Sequence, residues 1–291
     1  MFTRTIAFAS VGFALLATPS VRAVDYPFAG PINGNWNTEG NWDFWNGSEI
    51  ADTLTLPGLS DHAIMESTTA VFTAGSTTVS KLSIARFNGN NGALRVTGGM
   101  LSVTTEVHVG EQGNGALYLD GGTLNVGGNF RLSAGETLNQ TQTSNLEVTG
   151  GVLNITGGLE VPALGWNDSS RNASIQLLGG TINTGSFSLK TFGGIAAFPE
   201  IFGSLNITEG TLRINQADEG FRINELQGWV NDGRITAYGM QSDPDGTRIL
   251  IESAVEPGGQ NYITVTAVPE PVGLAGVAIA GVLMLRRRQA R

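Results

Sequence analysis

The chain has 291 residues, 41 glycines, no cysteine and a formal net charge of −9, with 41% apolar and 14% charged residues. The lack of cysteine excludes disulfides, thiolate catalysis and Cys-ligated zinc, and the apolar share is too high for a disordered chain. So much glycine with so little charge suits many short strands joined by tight turns.

Residues 1–23 read as an export leader. Arg4 supplies the positive start, Ile6 to Ala17 is an apolar run, and Val21-Arg22-Ala23 offers small residues for cleavage after Ala23. The run falls short of the roughly 20 apolar residues that span a bilayer. Residues 24–65 form an aromatic N-terminal cap, with Trp36, Trp42, Phe44 and Trp45 set among Asn and Gly. Two roles are open to these rings. Trp36, Trp42 and Trp45 make a flat apolar platform on which a sugar ring stacks, or they plug the apolar end and open strand edges of the body that follows.

Residues 66–225 carry a repeat. Leu94 and Val96, the pair Gly98-Gly99, then Leu101 and Val103 recur as Leu117, Leu119, Gly121-Gly122, Leu124, Val126 and as Leu146, Val148, Gly150-Gly151, Leu153, Ile155. Looser copies turn at Gly179-Gly180 and at Glu209-Gly210. Apolar residues two apart lie on one face of a strand, and glycine makes the corner. A third strand follows in each unit, at Leu82–Ile84, Val107–Val109, Phe130–Leu132, Leu159–Val161, Phe187–Leu189 and Phe221–Ile223. The second glycine falls at 99, 122, 151, 180 and 210, a period that signals a solenoid. The expected fold is an all-β, right-handed parallel β-helix with three short strands per coil and terminal caps. Its insertions fall at Ala134–Asn145, Gly165–Asn172 and Thr191–Phe202. Six inward apolar side chains do not offset the ordering of a whole coil, so coils must stack to be stable.

Along the outer faces, Ser102, Asn125, Asn154 and Asn183 share one position, and Thr123, Thr181 and Thr211 another. Stacked coils align them as polar ladders, which stabilise the sheet and also offer hydroxyls and amides to a polysaccharide. After Ile214 the repeat decays. Residues 226–267 are expected to form a C-terminal β cap, in which Gly233 keeps a trace of the coil, and Ile249–Ile251 and Tyr262–Thr266 pair antiparallel.

Residues 268–291 carry Pro269-Glu270-Pro271, an apolar run from Val272 to Leu285, and the cluster Arg286-Arg287-Arg288. At about 1.5 Å per residue that run covers roughly 21 Å of a hydrocarbon core of about 30 Å, a short transmembrane helix with its arginines on the cytoplasmic side. This order of parts resembles the PEP-CTERM sorting signal of exported Gram-negative proteins, and the resemblance covers about a tenth of the chain. It implies that Pro269, Glu270 and Pro271 are read by an exosortase, a membrane-embedded transpeptidase, and that the protein accompanies exopolysaccharide production. The pattern Trp36…Asn41-Trp42…Pro57…Asp61-x-Ala63 resembles the start of autotransporter-like and PEP-CTERM β-helix proteins. A chain trimmed at both ends keeps 10 basic and 24 acidic residues, a net charge of −14 that repels nucleic acid and anionic lipid.

The parallel β-helix is also the fold of pectate lyases and polygalacturonases, so catalysis has to be weighed. Cleaving a polysaccharide takes paired carboxylates in one groove, or clustered Asp with calcium beside a basic residue. Asp120 and Asp168 lie in different units, and Glu147 and Glu160 read as solvated outward charges. His62 and His108 read as isolated, without metal-ligand spacing. Asp243-Pro-Asp245-Gly246 reads as a turn. The sequence therefore predicts no catalytic residue, cofactor or metal, and a non-enzymatic cell-surface or extracellular matrix protein that passes through the inner membrane. The alternatives are a polysaccharide-binding adhesin and a β-helix polysaccharide lyase or hydrolase.

Overall fold

The computed structural model describes residues 23–45, 50–52, 55–134, 142–162, 171–189, 202–215, 219–239, 248–255 and 259–268. These residues form a mostly β, solenoid-like body in which the chain visits three strand ladders in turn. The first ladder stacks Gly34–Asn35, Thr69–Phe72, Asn91–Val96, Asn114–Leu119, Gln142–Val148, Arg171–Leu177, Phe202–Ile207 and Ile235–Ala237, all parallel. The second runs through Ser76–Val79, Met100–Val103 and Thr123–Val126, then residues 152–155 and 181–184, to Thr211–Ile214. The third stacks Asp25–Pro27, His62–Met65, Lys81–Ile84, Val107–Val109 and Phe130–Leu132, then residues 158–161 and 186–189. The second and third ladders belong to one sheet because Val152–Val161 and Thr181–Leu189 run through the corner between them without a break.

The register is the one the repeated phrase implies. Leu94 pairs with Leu117, Leu117 with Leu146, Leu146 with Ile175 and Ile175 with Leu205. Inward positions therefore hold apolar side chains on apolar side chains, and one continuous core runs the length of the stack. Gly99, Gly122, Gly151 and Gly180 have φ between 67° and 72°, and Gly210 has 105°. In that region a Cβ crowds the backbone, a cost that glycine escapes. Stacking tightens the requirement, because a Cβ on Gly151 would lie 2.5 Å from the carbonyl oxygen of Gly122 one coil below.

Both ends of the core are closed. At the N-terminal end Trp36 and Trp42 are fully buried, packed edge to face with centroids 4.6 Å apart, and extended by Phe28 and Phe72. The Trp42 indole N–H donates to the Trp36 carbonyl at 2.7 Å. Stacking also reaches further toward the N-terminus than residue 66, since Asp25–Pro27 and His62–Met65 belong to the third ladder. At the other end the expected antiparallel pair is present: Asn261–Ala267 pairs with Thr211–Ile214 on one side and Ile249–Val255 on the other.

Two expectations are corrected. Phe221–Ile223 is not a strand; it lies within the helix Glu219–Asn231. Ile223, Leu226, Trp229 and Val230 recur at three and four residues, the helical spacing, and bury Leu226, Trp229 and Val230 over the core end, where Trp229 meets Phe187 edge to face. Gly233 accordingly precedes a first-ladder strand, Ile235–Ala237, and is not a corner between the first and second ladders. The expected insertions all fall at the corner from the third ladder back to the first, where residues 135–141, 163–170 and 190–201 lie outside the described residues. Gln142–Val148 begins inside the first of them. Its early inward positions are Gln142 and Ser144, both buried, so apolar alternation did not mark them.

Replacing Gly151 by Ala should destabilise the body by about 2 kcal/mol or more, from the left-handed φ together with the clash. Gly228→Ala, in the helix with open space at Cβ, should stabilise it by roughly 0.5–1 kcal/mol. Urea midpoints of the two variants against the parent chain measure both.

Candidate functional site

The outward row of the third ladder is where chemically reactive side chains gather. The register places Ser83 beside His108, His108 beside Arg131, and Arg131 beside Glu160. One step along the strands, Asp25, His62 and Lys81 are aligned. The result is a chain of charges that crosses successive coils. Arg86 Nη1 donates to Asp25 Oδ2 at 2.7 Å, and Asp25 Oδ1 lies 3.0 Å from His62 Nδ1. His62 Nε2 is 2.9 Å from Ser83 Oγ, which donates to Glu111 Oε2 at 2.8 Å. Glu111 Oε1 is 3.6 Å from His108 Nδ1, and His108 Nε2 is 3.1 Å from Glu106 Oε2, contacts without hydrogen-bond geometry. Lys81 at 3.0 Å and Arg131 at 2.9 Å both hold Glu106, and Arg131 continues to Glu160 at 3.2 Å.

The setting explains the titration of these groups. Burial raises the Asp25 carboxyl, but Arg86 and His62 outweigh it and hold Asp25 below its ordinary value. Burial likewise opposes ionisation of Glu106 and Glu111. The partners Lys81 and His108 lower the first, and His108 with Ser83 takes the second down to about 2. Burial disfavours the charged form of the His62 ring, and the Asp25 carboxylate beside it favours that form. Glu66 is raised by burial even though Asn90 and the Phe87 N–H donate to it.

This seam corrects the reading of both histidines as isolated solvated rings. His108 is 7% exposed, and His62 is held on both ring nitrogens. Glu160 is likewise ion-paired. Carboxylate, imidazole and hydroxyl here stand in the order of a nucleophile with its base and orienting acid. Ser83 is 0% exposed, however, so no acyl carbon can approach its oxygen, and its proton is committed to Glu111. The arrangement is a buried polar network; it is not a nucleophile site. Among the described residues no group of three His, Asp or Glu has the geometry to hold a metal ion.

The residues singled out from sequence are distributed as follows. Ala23 is exposed and directly precedes Val24, whose carbonyl accepts from the His62 N–H at 2.8 Å. Trp36 and Trp42 present no face to solvent, and only Trp45, at 39% exposure, remains open. The three indoles thus form no common platform, and the plug reading is the one their packing supports. Pro269, Glu270, Pro271, Arg286, Arg287 and Arg288 lie outside the described residues, as does Asp243-Pro-Asp245-Gly246. Among the described residues no helix is long and apolar enough to cross a membrane.

The polar ladder on the second sheet face does form. Asn183 Nδ2 donates to Asn154 Oδ1 at 2.8 Å, Asn154 Nδ2 to Asn125 Oδ1 at 2.9 Å, and Asn125 Nδ2 to Ser102 Oγ at 3.4 Å. A second ladder on the first face links Gln176, Asn206 and Thr236. Comparison of the chain with protein-family models, with curated proteins and with solved structures finds no match in any of the three.

Trp42→Ala should cost about 3–5 kcal/mol of stability, the range for emptying a buried aromatic site. Trp45→Ala should stay within about 0.5 kcal/mol. Denaturant unfolding of the two variants makes the comparison.

Proposed function

We propose that this chain is an exported, non-enzymatic structural protein of the cell surface or extracellular matrix, associated with exopolysaccharide. In this reading the leader is removed after Ala23. An exosortase-type transpeptidase then recognises Pro269, Glu270 and Pro271 while the apolar helix and Arg286 to Arg288 hold the tail in the inner membrane. The body is a right-handed parallel β-helix, the hand taken by nearly all parallel crossovers within one sheet.

The observation that carries the structural role is the parallel stacking of successive coils, whose outer faces bear amide ladders bonded from coil to coil. Such a stack presents a repetitive polar surface of amides and hydroxyls on two of its faces, suited to lying along a hydrated polymer. The delivery route rests on the order of motif, apolar run and arginine cluster in the sequence.

The test replaces Pro269, Glu270 and Pro271 by Ala and follows intact mass and cell fraction of the mature protein in its native host. The parent should lose the tail and leave the inner membrane, and the variant should retain it there. A full-length tail in the inner membrane in both strains contradicts the sorting role.

A further inference from the structure

The contacts Asp25–His62, His62–Ser83 and Ser83–Glu111 are 3.0, 2.9 and 2.8 Å long. At these lengths each must contain one hydrogen, because two lone pairs face to face repel. The terminal carboxylates are both held below their ordinary values, and an ionised carboxylate only accepts. The hydrogens must therefore come from His62 and Ser83. The serine hydroxyl supplies one and a neutral imidazole supplies one, which leaves one of the three contacts empty. An imidazolium supplies two and fills all three.

We propose that Asp25, His62, Ser83 and Glu111 form a proton-operated clasp that fastens the N-terminal strand Asp25–Pro27 to the first coils. It is closed when His62 is an imidazolium and one hydrogen short when the ring is neutral. The clasp joins four separate parts of the chain: the N-terminal strand, His62–Met65, Lys81–Ile84 and the segment after Val107–Val109. Charged groups face it from each. Arg86 sits on the far oxygen of Asp25, and Lys81 is beside His62 in the neighbouring strand. Glu106 and His108 continue from Glu111, and Glu66 follows the His62 strand. Asp25, His62, Arg86 and Glu111 together are neutral when His62 is charged, so the closed clasp carries no net charge. In the reading proposed above, Asp25 lies two residues beyond the processed end, and the clasp secures a chain end that meets the pH of the exterior.

The sign of the pH dependence separates this proposal from burial alone. A folded His62 that titrates above its unfolded value of about 6.5 stabilises the strand fully below that pH, and the effect is lost as pH rises through the folded value. Burial alone gives the reverse: stability present above about 6.5 and lost as pH falls toward about 4.

The test is a nuclear magnetic resonance titration of the full chain with labelled histidines. The chain has two, and His108→Gln assigns them. The proposal expects both His62 nitrogens protonated at pH 6 and a midpoint above 6.5. The exchange protection of the Tyr26 and Phe28 amides should fall about tenfold for each unit by which that midpoint exceeds the unfolded value. Ser83→Ala, which needs fewer hydrogens, should lower the midpoint and remove the pH dependence of protection. A His62 that is neutral at pH 6 overturns the proposal, as does amide protection that does not follow its titration. The parent titration decides the matter alone should Ser83→Ala not fold.

Discussion

Every feature of this molecule follows from parallel strands that must find their hydrogen-bond partners one coil away. A parallel strand cannot pair with its sequence neighbour through a tight hairpin, so each coil of three strands leaves its backbone groups to the coils above and below. The register then aligns like with like. Leucine lies on leucine inside, asparagine on asparagine outside, and glycine on glycine at the corner. At the corner the constraint is hardest, because the carbonyl of one glycine occupies the space a side chain of the next would need.

A stack held this way is exposed at its ends, and the two ends are closed by different chemistry. At the N-terminal end the problem is apolar surface, covered by Trp36 and Trp42 in edge-to-face contact. At the C-terminal end it is also unpaired backbone. Among the described residues the third ladder stops at residues 186–189, and there Arg222 donates to the Phe187 carbonyl at 3.1 Å while Arg234 donates to the Leu189 carbonyl. Two guanidinium groups stand where a further strand would donate. The second ladder is closed by reversing direction, through Asn261–Ala267.

The coil body was legible in the sequence because its signal is local and repeated. Apolar residues two apart and a glycine pair identify the strands and corner, and the steps between glycine pairs are the register steps of the first and second ladders. The helix Glu219–Asn231 was misread because Phe221 and Ile223 imitate the strand spacing; the competing signal of Ile223, Leu226, Trp229 and Val230 extends beyond that window. The charged seam was illegible for another reason. Asp25, His62, Ser83 and Glu111 are separated by unequal stretches of chain, and only the register of the third ladder brings them together. His108 occupies an outward position that reads as solvated, yet side chains of neighbouring coils and loops cover it. The three tryptophans read from sequence as either a platform or a plug, since proximity along the chain does not tell which rings turn inward. Ser83 shows how far geometry constrains chemistry: its partners are those of a nucleophile, but its burial makes it a structural donor.

Each coil is a layer whose backbone hydrogen bonds run to the coils above and below it. Val152 pairs with Thr181 one coil on, a register step of 29 residues. Removing residues 152–180 therefore joins Gly151 to Thr181 with the remaining strands of the first and second ladders still in register. The decisive measurement compares that chain, by circular dichroism and urea unfolding, with one lacking residues 152–166. The account predicts that the full-coil deletion keeps the β-sheet signal and a cooperative transition while the half-coil deletion loses both. A full-coil deletion that unfolds as completely as the half-coil deletion would contradict it.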